Sequence, residues 1–377
     1  MVHRPLAVVA ITLILTSLAA AQYTSDLPDP IPYESAPGPF ALVSADFNGD
    51  GKPDLALTNR SPGNVIVLIN AGNGNFLTPL SISVGSVPTY LVVGDFNDDS
   101  FVDIAVSNSG SGTVSILLGK GDGTFRPIRS YKCGSNPYGI AVADFNNDGK
   151  LDLVVSNRLS NTISLLIGNG DGSFQNPLVT SLPNPFFVSV GDFDGDGNVD
   201  LAVTNRFLNS FSVLLGNGDG TFQPATAYSL ANNPSSVHVV DMNSDGIQDL
   251  VVVDEYAFNL AVYFGDGTGD FRSSASYPLG SYPYFAAIGD LNGDGKPDVV
   301  AVNKLSNSVE VLLGAGRGLL QPGVPYAVEN FPFSVVIADF NFDGIPDLAV
   351  TNNTSGTISI LLGNGDGTFK PEYGIPI

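Results

Sequence analysis

The chain has 377 residues, and its 15 Lys and Arg against 37 Asp and Glu give a formal net charge of −22, which excludes a nucleic-acid partner, whose phosphates the chain would repel. Hydrophobic residues at 43% exclude disorder, while 43 Gly and 26 Pro suit many short strands joined by tight turns. The single Cys133 excludes an internal disulfide framework and a Cys-based zinc site, and His238, the one His after residue 21, excludes a multi-histidine metal centre in the mature chain.

Residues 1–21 read as a secretory signal peptide: Arg4, an apolar stretch over 6–18, then Ala19-Ala20-Ala21 before Gln22. The apolar stretch is short for a membrane span, which needs about 20 residues. The mature chain, 22–377, is expected to be secreted, to lack a membrane span and to be monomeric. Next comes a candidate strand over 31–36. Its Tyr33 lies six residues before Pro39, the register of Tyr131, Tyr228, Tyr277 and Tyr326 before their own prolines.

From residue 39 onward one unit recurs seven times. The motif Asp-Phe-Asn-Gly-Asp-Gly-Lys-Pro-Asp at 46–54 returns at Asp95, Asp144, Asp192, Asp241, Asp290 and Asp339, in steps of 49, 49, 48, 49, 49 and 49. A Pro lies seven residues before each motif, an Asn or Asp thirteen after, and a Phe or Leu thirty after. Such a register dictates a repeat architecture. In the third unit, strands A to D are expected at 138–143, 151–156, 162–167 and 174–179. A glycine-rich hairpin turn at 168–172 lies between C and D. Four-stranded antiparallel units at this period are propeller blades, so the chain reads as all-β: a seven-bladed β-propeller. A WD40 propeller is excluded by the absence of Trp. Residues 369–375 are expected to supply the outer strand of the seventh blade, because the local hairpin closes at lower entropy cost than a strand from the N-terminus.

Each A–B loop places oxygen donors at positions 1, 3, 5 and 9. They are Asp46, Asn48, Asp50 and Asp54 in the first blade and Asp95, Asn97, Asp99 and Asp103 in the second. The third has Asp144, Asn146, Asp148 and Asp152, and the fourth Asp192, Asp194, Asp196 and Asp200. The fifth has Asp241, Asn243, Asp245 and Asp249, the sixth Asp290, Asn292, Asp294 and Asp298, and the seventh Asp339, Asn341, Asp343 and Asp347. Carboxylates crowded about 4 Å apart repel by roughly 4 kcal/mol per pair near a protein surface. A hard divalent cation removes that strain, and Ca²⁺ tolerates the flexible geometry. Up to seven Ca²⁺ ions are expected. The spacing begins like an EF-hand loop, but position 10 onward is a strand, so the element is a metal-clasped β-hairpin. Position 6 is Gly except for Ser100 in the second blade.

The Asp-Phe-Asn-x-Asp-Gly-x-x-Asp-Leu motif, followed by Val-x-Leu-Leu-Gly-Asn-Gly-Asp-Gly-Thr-Phe, resembles the FG-GAP/VCBS repeat family, whose members include the integrin α-subunit propellers and lectin-like propellers. The resemblance covers 39–377. It implies an extracellular Ca²⁺-binding propeller for adhesion or ligand recognition, with the calcium loops on one face. The ligand face is then the opposite one, built from D–A and B–C loops.

That face collects aromatics at the start of strand A, among them Tyr90, Tyr138, Phe187 and Tyr284. The B–C loops place Arg60, Arg158, Arg206 and Lys304 at one equivalent position. Either the aromatics wedge between blades with the cations solvated, or they form stacking platforms with a cationic rim for an extracellular glycan or protein ligand. No catalytic residues are expected. The alternative is an extracellular hydrolase or lyase, for which the near-constant period leaves no inserted loop. His238 is then the one imidazole base of the mature chain.

Overall fold

A computed structural model describes residues 38–377, apart from Asn73 and Ala231. The candidate signal peptide and the candidate strand at 31–36 lie outside the described residues. Seven four-stranded antiparallel sheets follow one another along the chain. Their innermost strands A are Pro39–Ala45, Pro88–Gly94, Pro137–Ala143, Pro185–Gly191, Pro234–Val240, Pro283–Gly289 and Pro332–Ala338. Each begins at the proline of the repeat. A proline can open a strand because its missing N–H costs the ladder nothing there.

The third blade shows the pattern. Strand A pairs with strand B, Asp152–Asn157, B with strand C, Thr162–Leu166, and C with strand D, Leu178–Ser181. Strand D therefore starts four residues later than the sequence suggests. Phe174 instead bridges Gly168 across the C–D turn. The Gly119–Phe125, Gly216–Phe222 and Gly363–Phe369 bridges repeat this arrangement. The bridge closes the turn on itself and turns the Phe toward the preceding blade rather than into the sheet.

Strand B is buried along its whole length in six of the blades, as a continuous apolar run flanked by two strands should be. Between blades, the aromatic or aliphatic residue at motif position 2 is buried and meets the C–D phenylalanine of its neighbour, or Leu320 where the neighbour is the sixth blade. Phe47 lies 6.0 Å from Phe125, Phe96 5.7 Å from Phe174 and Phe193 5.3 Å from Phe271, edge to face. The same residues are stitched through the backbone. Gly123 donates its N–H to the Phe47 carbonyl at 2.9 Å, and Gly172 to that of Phe96 at 2.8 Å. Hydroxyls on strand B add a further link, Thr58 Oγ1 donating to the Thr89 carbonyl at 2.7 Å.

The ring closes by the same contacts. Gly74 donates to the Phe340 carbonyl at 3.1 Å, and Thr351 Oγ1 to that of Phe40 at 2.9 Å. The seventh blade is completed by Tyr373–Pro376, paired with Thr357–Leu361. The C-terminal hairpin thus takes the outer slot, as the shorter loop favours. No helix among the described residues is long and apolar enough to cross a membrane.

Candidate metal loops and axial ligand face

Strand A runs from the proline end, where the B–C and D–A loops gather, to the opposite end, where the Asp motifs gather. At the motif end all seven loops adopt one backbone course. Position 1 turns its carboxylate inward. Asp46 Oδ1 accepts the N–H groups of Gly49 at 2.7 Å and Asp50 at 3.1 Å, and its Oδ2 that of Gly51 at 2.7 Å. Asn48 Oδ1 accepts from Asp50 at 3.1 Å, and Asp50 Oδ1 from Lys52 at 3.0 Å. The bend requires positive φ at positions 4 and 6, supplied by Gly49 (73°) and Gly51 (81°). Residues without that freedom adopt it too: Asp98 at 56°, Ser100 at 66° and Phe342 at 66°. The second loop therefore keeps the shared course despite lacking its glycine.

Position 9 has a distinct role that the sequence does not reveal. Every one of these aspartates is fully buried. Its Oδ2 accepts the N–H of motif position 2 at 2.7–3.0 Å, from Phe47 round to Phe340. Its Oδ1 accepts the N–H of the residue sixteen positions on, at 2.6–3.0 Å, from Asn70 round to Gly363. One carboxylate thus ties the A–B loop to the C–D turn. Burial pushes Asp103, Asp152, Asp200 and Asp249 up to about 6, against the pull of those two N–H groups. The position 5 and position 1 carboxylates push the same way in three of them. In Asp200 the acids at positions 3 and 5 do so.

The donor set suits a hard cation: all oxygen, largely anionic, on a loop pre-bent to face inward. In the fourth loop, carboxylate oxygens of Asp192, Asp194 and Asp200 already lie within 4.8 Å of one another. Elsewhere position 5 is held by its neighbour, Lys52 Nζ on Asp50 at 2.8 Å and Lys296 Nζ on Asp294 at 2.7 Å.

At the proline end the aromatics follow the wedged reading rather than that of a ring of stacking platforms. Tyr90, Tyr138, Phe187 and Tyr284 are all buried. They pack on one another and on their neighbours across the axis. Tyr138 stacks on Phe186 at 4.2 Å, Tyr90 meets Phe187 at 5.0 Å, and Tyr284 meets Phe333 at 5.0 Å. The Tyr138 and Tyr284 hydroxyls hydrogen-bond to each other. Seven strands converge on a narrow axis, so large side chains at their starts fill it rather than line it.

The cations do not form the solvated rim expected of them. Arg60, Arg206 and Lys304 are buried above this plug, and Arg158 is half-buried. Arg60 lies over the Phe40 ring at 4.8 Å, Arg206 over Phe186 at 4.5 Å, and Lys304 over Tyr284 at 4.0 Å. Glu255, from the fifth blade, bonds to both Arg206 and Lys304, one repeat to either side. Burial pulls the Lys304 ammonium down to about 7, with Glu255 opposing and Arg206 assisting. The residues that do stand exposed at this end are Leu159, Phe207, Leu208, Phe258 and Leu305. The sequence reading passed over them. Their one signal is that each follows the equivalent ring position by one to three residues.

His238 projects into a cavity of about 460 Å³ inside the channel, beside Phe187, with Nε2 3.0 Å from Ser236 Oγ. Burial lowers its pKa to about 3, so the ring is neutral at physiological pH. Cys133 is pushed up to about 12 by burial and is not a thiolate nucleophile.

The FG-GAP-like repeat model matches the sequence in overlapping segments: 46–106, 95–155, 144–203, 192–252, 241–301 and 290–350. The chain belongs to the FG-GAP-like repeat family. No curated protein matches it. Among solved structures, the FG-GAP-like chain is similar to the Pseudomonas aeruginosa periplasmic gluconolactonase PpgL, at 16% identity and TM-score 0.65, covering 90% of this chain and 96% of that one. It is similar to BBS1N from a complex with ARL6DN, at 14% identity and TM-score 0.63, covering 86% and 92%. An Agrocybe aegerita lectin that recognises non-reducing terminal N-acetylglucosamine is similar at 17% identity and TM-score 0.56, covering 90% of each chain. At these identities the likeness is one of fold.

Proposed function

We propose that this FG-GAP-like propeller is a secreted, Ca²⁺-binding recognition module that binds a ligand at the proline end and does not turn it over. The observation that carries this is the difference between the two ends. One end is a set of seven near-identical oxygen-donor loops whose sameness suits a structural ion. The other breaks the sevenfold pattern, which a specific ligand requires. Position by position the B–C loops start with Arg60, Ser109, Arg158, Arg206, Glu255, Lys304 and Asn353. The glycan-binding lectin and the BBS1N complex, which share the fold, are a sugar binder and a protein binder respectively.

Ca²⁺ would be held by positions 1, 3 and 5, with position 9 also in reach in the fourth loop. Its charge would offset the repulsion among those carboxylates and fix the A–B hairpins. The remaining work is done by the chain itself. The aromatic plug sets the height of the cations, and the Arg206–Glu255–Lys304 group fixes their positions.

The alternative is a hydrolase or lyase. It is favoured by one feature, His238 in the channel cavity, on a fold shared with a gluconolactonase. An imidazole held near a pKa of 3 is a weak general base. A glycan array and a lactone and polysaccharide turnover assay, on the chain from Gln22 with and without Ca²⁺, separate the two. Binding without turnover supports recognition. Turnover lost in His238→Ala overturns it.

A further inference from the structure

The sixth blade departs from the repeat at two positions that meet in space. Its strand C, Ser308–Leu312, carries Glu310 where the other blades have Ile66, Ser115, Ser164, Ser212, Ala261 and Ser359. Glu310 is the one charged residue in the seven strands C. Its strand D, Val324–Ala327, is the one strand D directly preceded by glycine, Gly323. A Cβ at that glycine would stand 2.4 Å from Glu310 Oε1 and 2.6 Å from its Cγ. The side chain missing at 323 is the room that the longer one at 310 occupies, so the two departures form one feature.

The bonds of Glu310 do not account for its charge. In the third blade Asn157, the last residue of strand B, donates Nδ2 to Ser164 Oγ at 2.8 Å and accepts the Gly134 N–H at 3.0 Å. In the sixth, Glu310 Oε2 takes both counterparts, Asn303 Nδ2 at 3.0 Å and the Gly280 N–H at 2.8 Å. Neutral side chains serve the same two donors in the third blade, so holding the loops needs no charge. Among the described residues Oε1 accepts no hydrogen bond, the carboxylate forms no ion pair, and Oε1 stays accessible. The carboxylate stands in a groove of about 580 Å³ between the fifth and sixth blades at the proline end, walled by Pro278, Leu279, Pro325 and Ala327. No Lys, Arg or His lines it. Of its polar side chains, Ser306 Oγ accepts the Ser281 N–H at 2.7 Å, and Asn307 Oδ1 that of Phe331 at 3.0 Å. Pro278, Pro325 and Ala327 are exposed, so the groove lies open along its outer side.

We propose that this groove takes the side chain of a lysine from a protein partner, its methylenes along the two prolines and Leu279 and its ammonium on Glu310 Oε1. This rests on the recognition reading and names what the proline end recognises. A carboxylate without an ion-pair partner selects a cation, and a chain of net charge −22 draws one in. The apolar walls select a cation on an apolar stem, which covers its methylenes while its charge reaches the acid. Lysine fits better than arginine. A guanidinium pairs best with both carboxylate oxygens, and Oε2 is already taken by two donors, whereas an ammonium needs one oxygen. The open side selects a protein. A small amine would leave the pair in water, where it is worth little, while a partner's surface closes the groove and excludes water.

A random peptide array probed with the full chain in Ca²⁺ tests this. The expected binders share a lysine beside apolar residues. They lose at least about tenfold in affinity when that lysine is Nε-acetylated, and as much when the chain carries Glu310→Gln. The glutamine oxygen can still accept from Asn303 and Gly280, so an unchanged melting curve shows that this variant folds. Gly323→Ala, which crowds Oε1, is the second variant and should weaken binding in the same direction. Glu329→Gln removes another carboxylate from the same end and should leave affinity unchanged. Binders indifferent to Glu310→Gln, binders weakened as much by Glu329→Gln, binders that accept arginine equally, or no binders at all overturn the proposal. So does free cadaverine bound as tightly as the peptides, or a neutral glycan whose binding is lost with Glu310→Gln. In those cases binding without turnover on the glycan array would leave the recognition reading standing. Turnover would remove that reading whatever the peptides do.

Discussion

Asp54 accepts the Asn70 backbone N–H through Oδ1 at 2.7 Å. With Oδ2 on the Phe47 N–H at 2.9 Å, the same carboxylate holds both ends of its blade's lower edge. Asp152 repeats the pair on Gly168 and Phe145. Hydrogen bonds to a charged acceptor are worth about 1.5–3 kcal/mol each. Asp152→Ala should therefore cost about 3 kcal/mol in urea denaturation, with or without Ca²⁺. Asp144→Ala, at position 1, should show most of its cost only when Ca²⁺ is present. Equal Ca²⁺ dependence for the two variants would contradict the division of labour.

Acid should stabilise the metal-free protein over one window. Asp103, Asp152, Asp200 and Asp249 are raised from their ordinary 3.8 to about 6 by burial. A raised carboxylate binds its proton more tightly in the folded state. Its contribution is full below 3.8 and is lost as pH rises through about 6. The exposed acids held low, such as Asp50 and Asp294, lose their contribution only below that window. In chelator the melting temperature should rise from about pH 7.5 to about pH 5. A metal-free melting temperature that falls toward pH 5 would contradict this.

Glu255→Gln removes the carboxylate that Arg206 and Lys304 share. Breaking a buried ion group by deleting one member costs about 3–5 kcal/mol. Thermal melting should register the loss irrespective of Ca²⁺. A change below about 1 kcal/mol would mean that the group is already balanced without Glu255.

Ser100→Gly should stabilise the second blade. Ser100 holds φ of 66° where the other six loops have glycine. Relief of that conformation is worth about 0.5–1 kcal/mol. The check is a shift in the denaturation midpoint without a change in slope.

Deleting 373–377 strips the outer strand of the seventh blade and the Tyr373 hydroxyl bond to the Gly74 carbonyl, 2.7 Å long, which spans the closure. A large drop in melting temperature is expected. If the drop is smaller than that from deleting 22–34, the C-terminal strand is not what holds the ring closed.

The repeat and its blades are legible because period, prolines and motif recur in one phase. Strands A, B and C fall within a residue or two of their sequence-derived bounds. Phe174 misplaces strand D because apolar character looks the same whether a side chain enters a sheet or bridges a turn to meet the preceding blade. Tyr138 and Tyr284 read equally as platforms or wedges because a residue at the start of a strand is as much a rim as a plug; only seven strands converging on one axis decide it. Asp54 and Asp46 are indistinguishable as letters, and the burial of one alone separates staple from inward-facing donor. Leu159, Phe207 and Leu305 share the position after the ring residue, but a loop residue's exposure depends on what covers it, which that register does not show.

The account turns most on the motif loops. If free Ca²⁺ exceeds each dissociation constant tenfold, each independent site stabilises by about 1.4 kcal/mol, and seven by roughly 10 kcal/mol. Melting the chain from Gln22 in excess Ca²⁺ and again in EGTA measures this directly. The expected result is a large fall in melting temperature in EGTA, reversed by adding Ca²⁺ back. Superimposable curves would show that the seven loops are acidic turns that hold no ion.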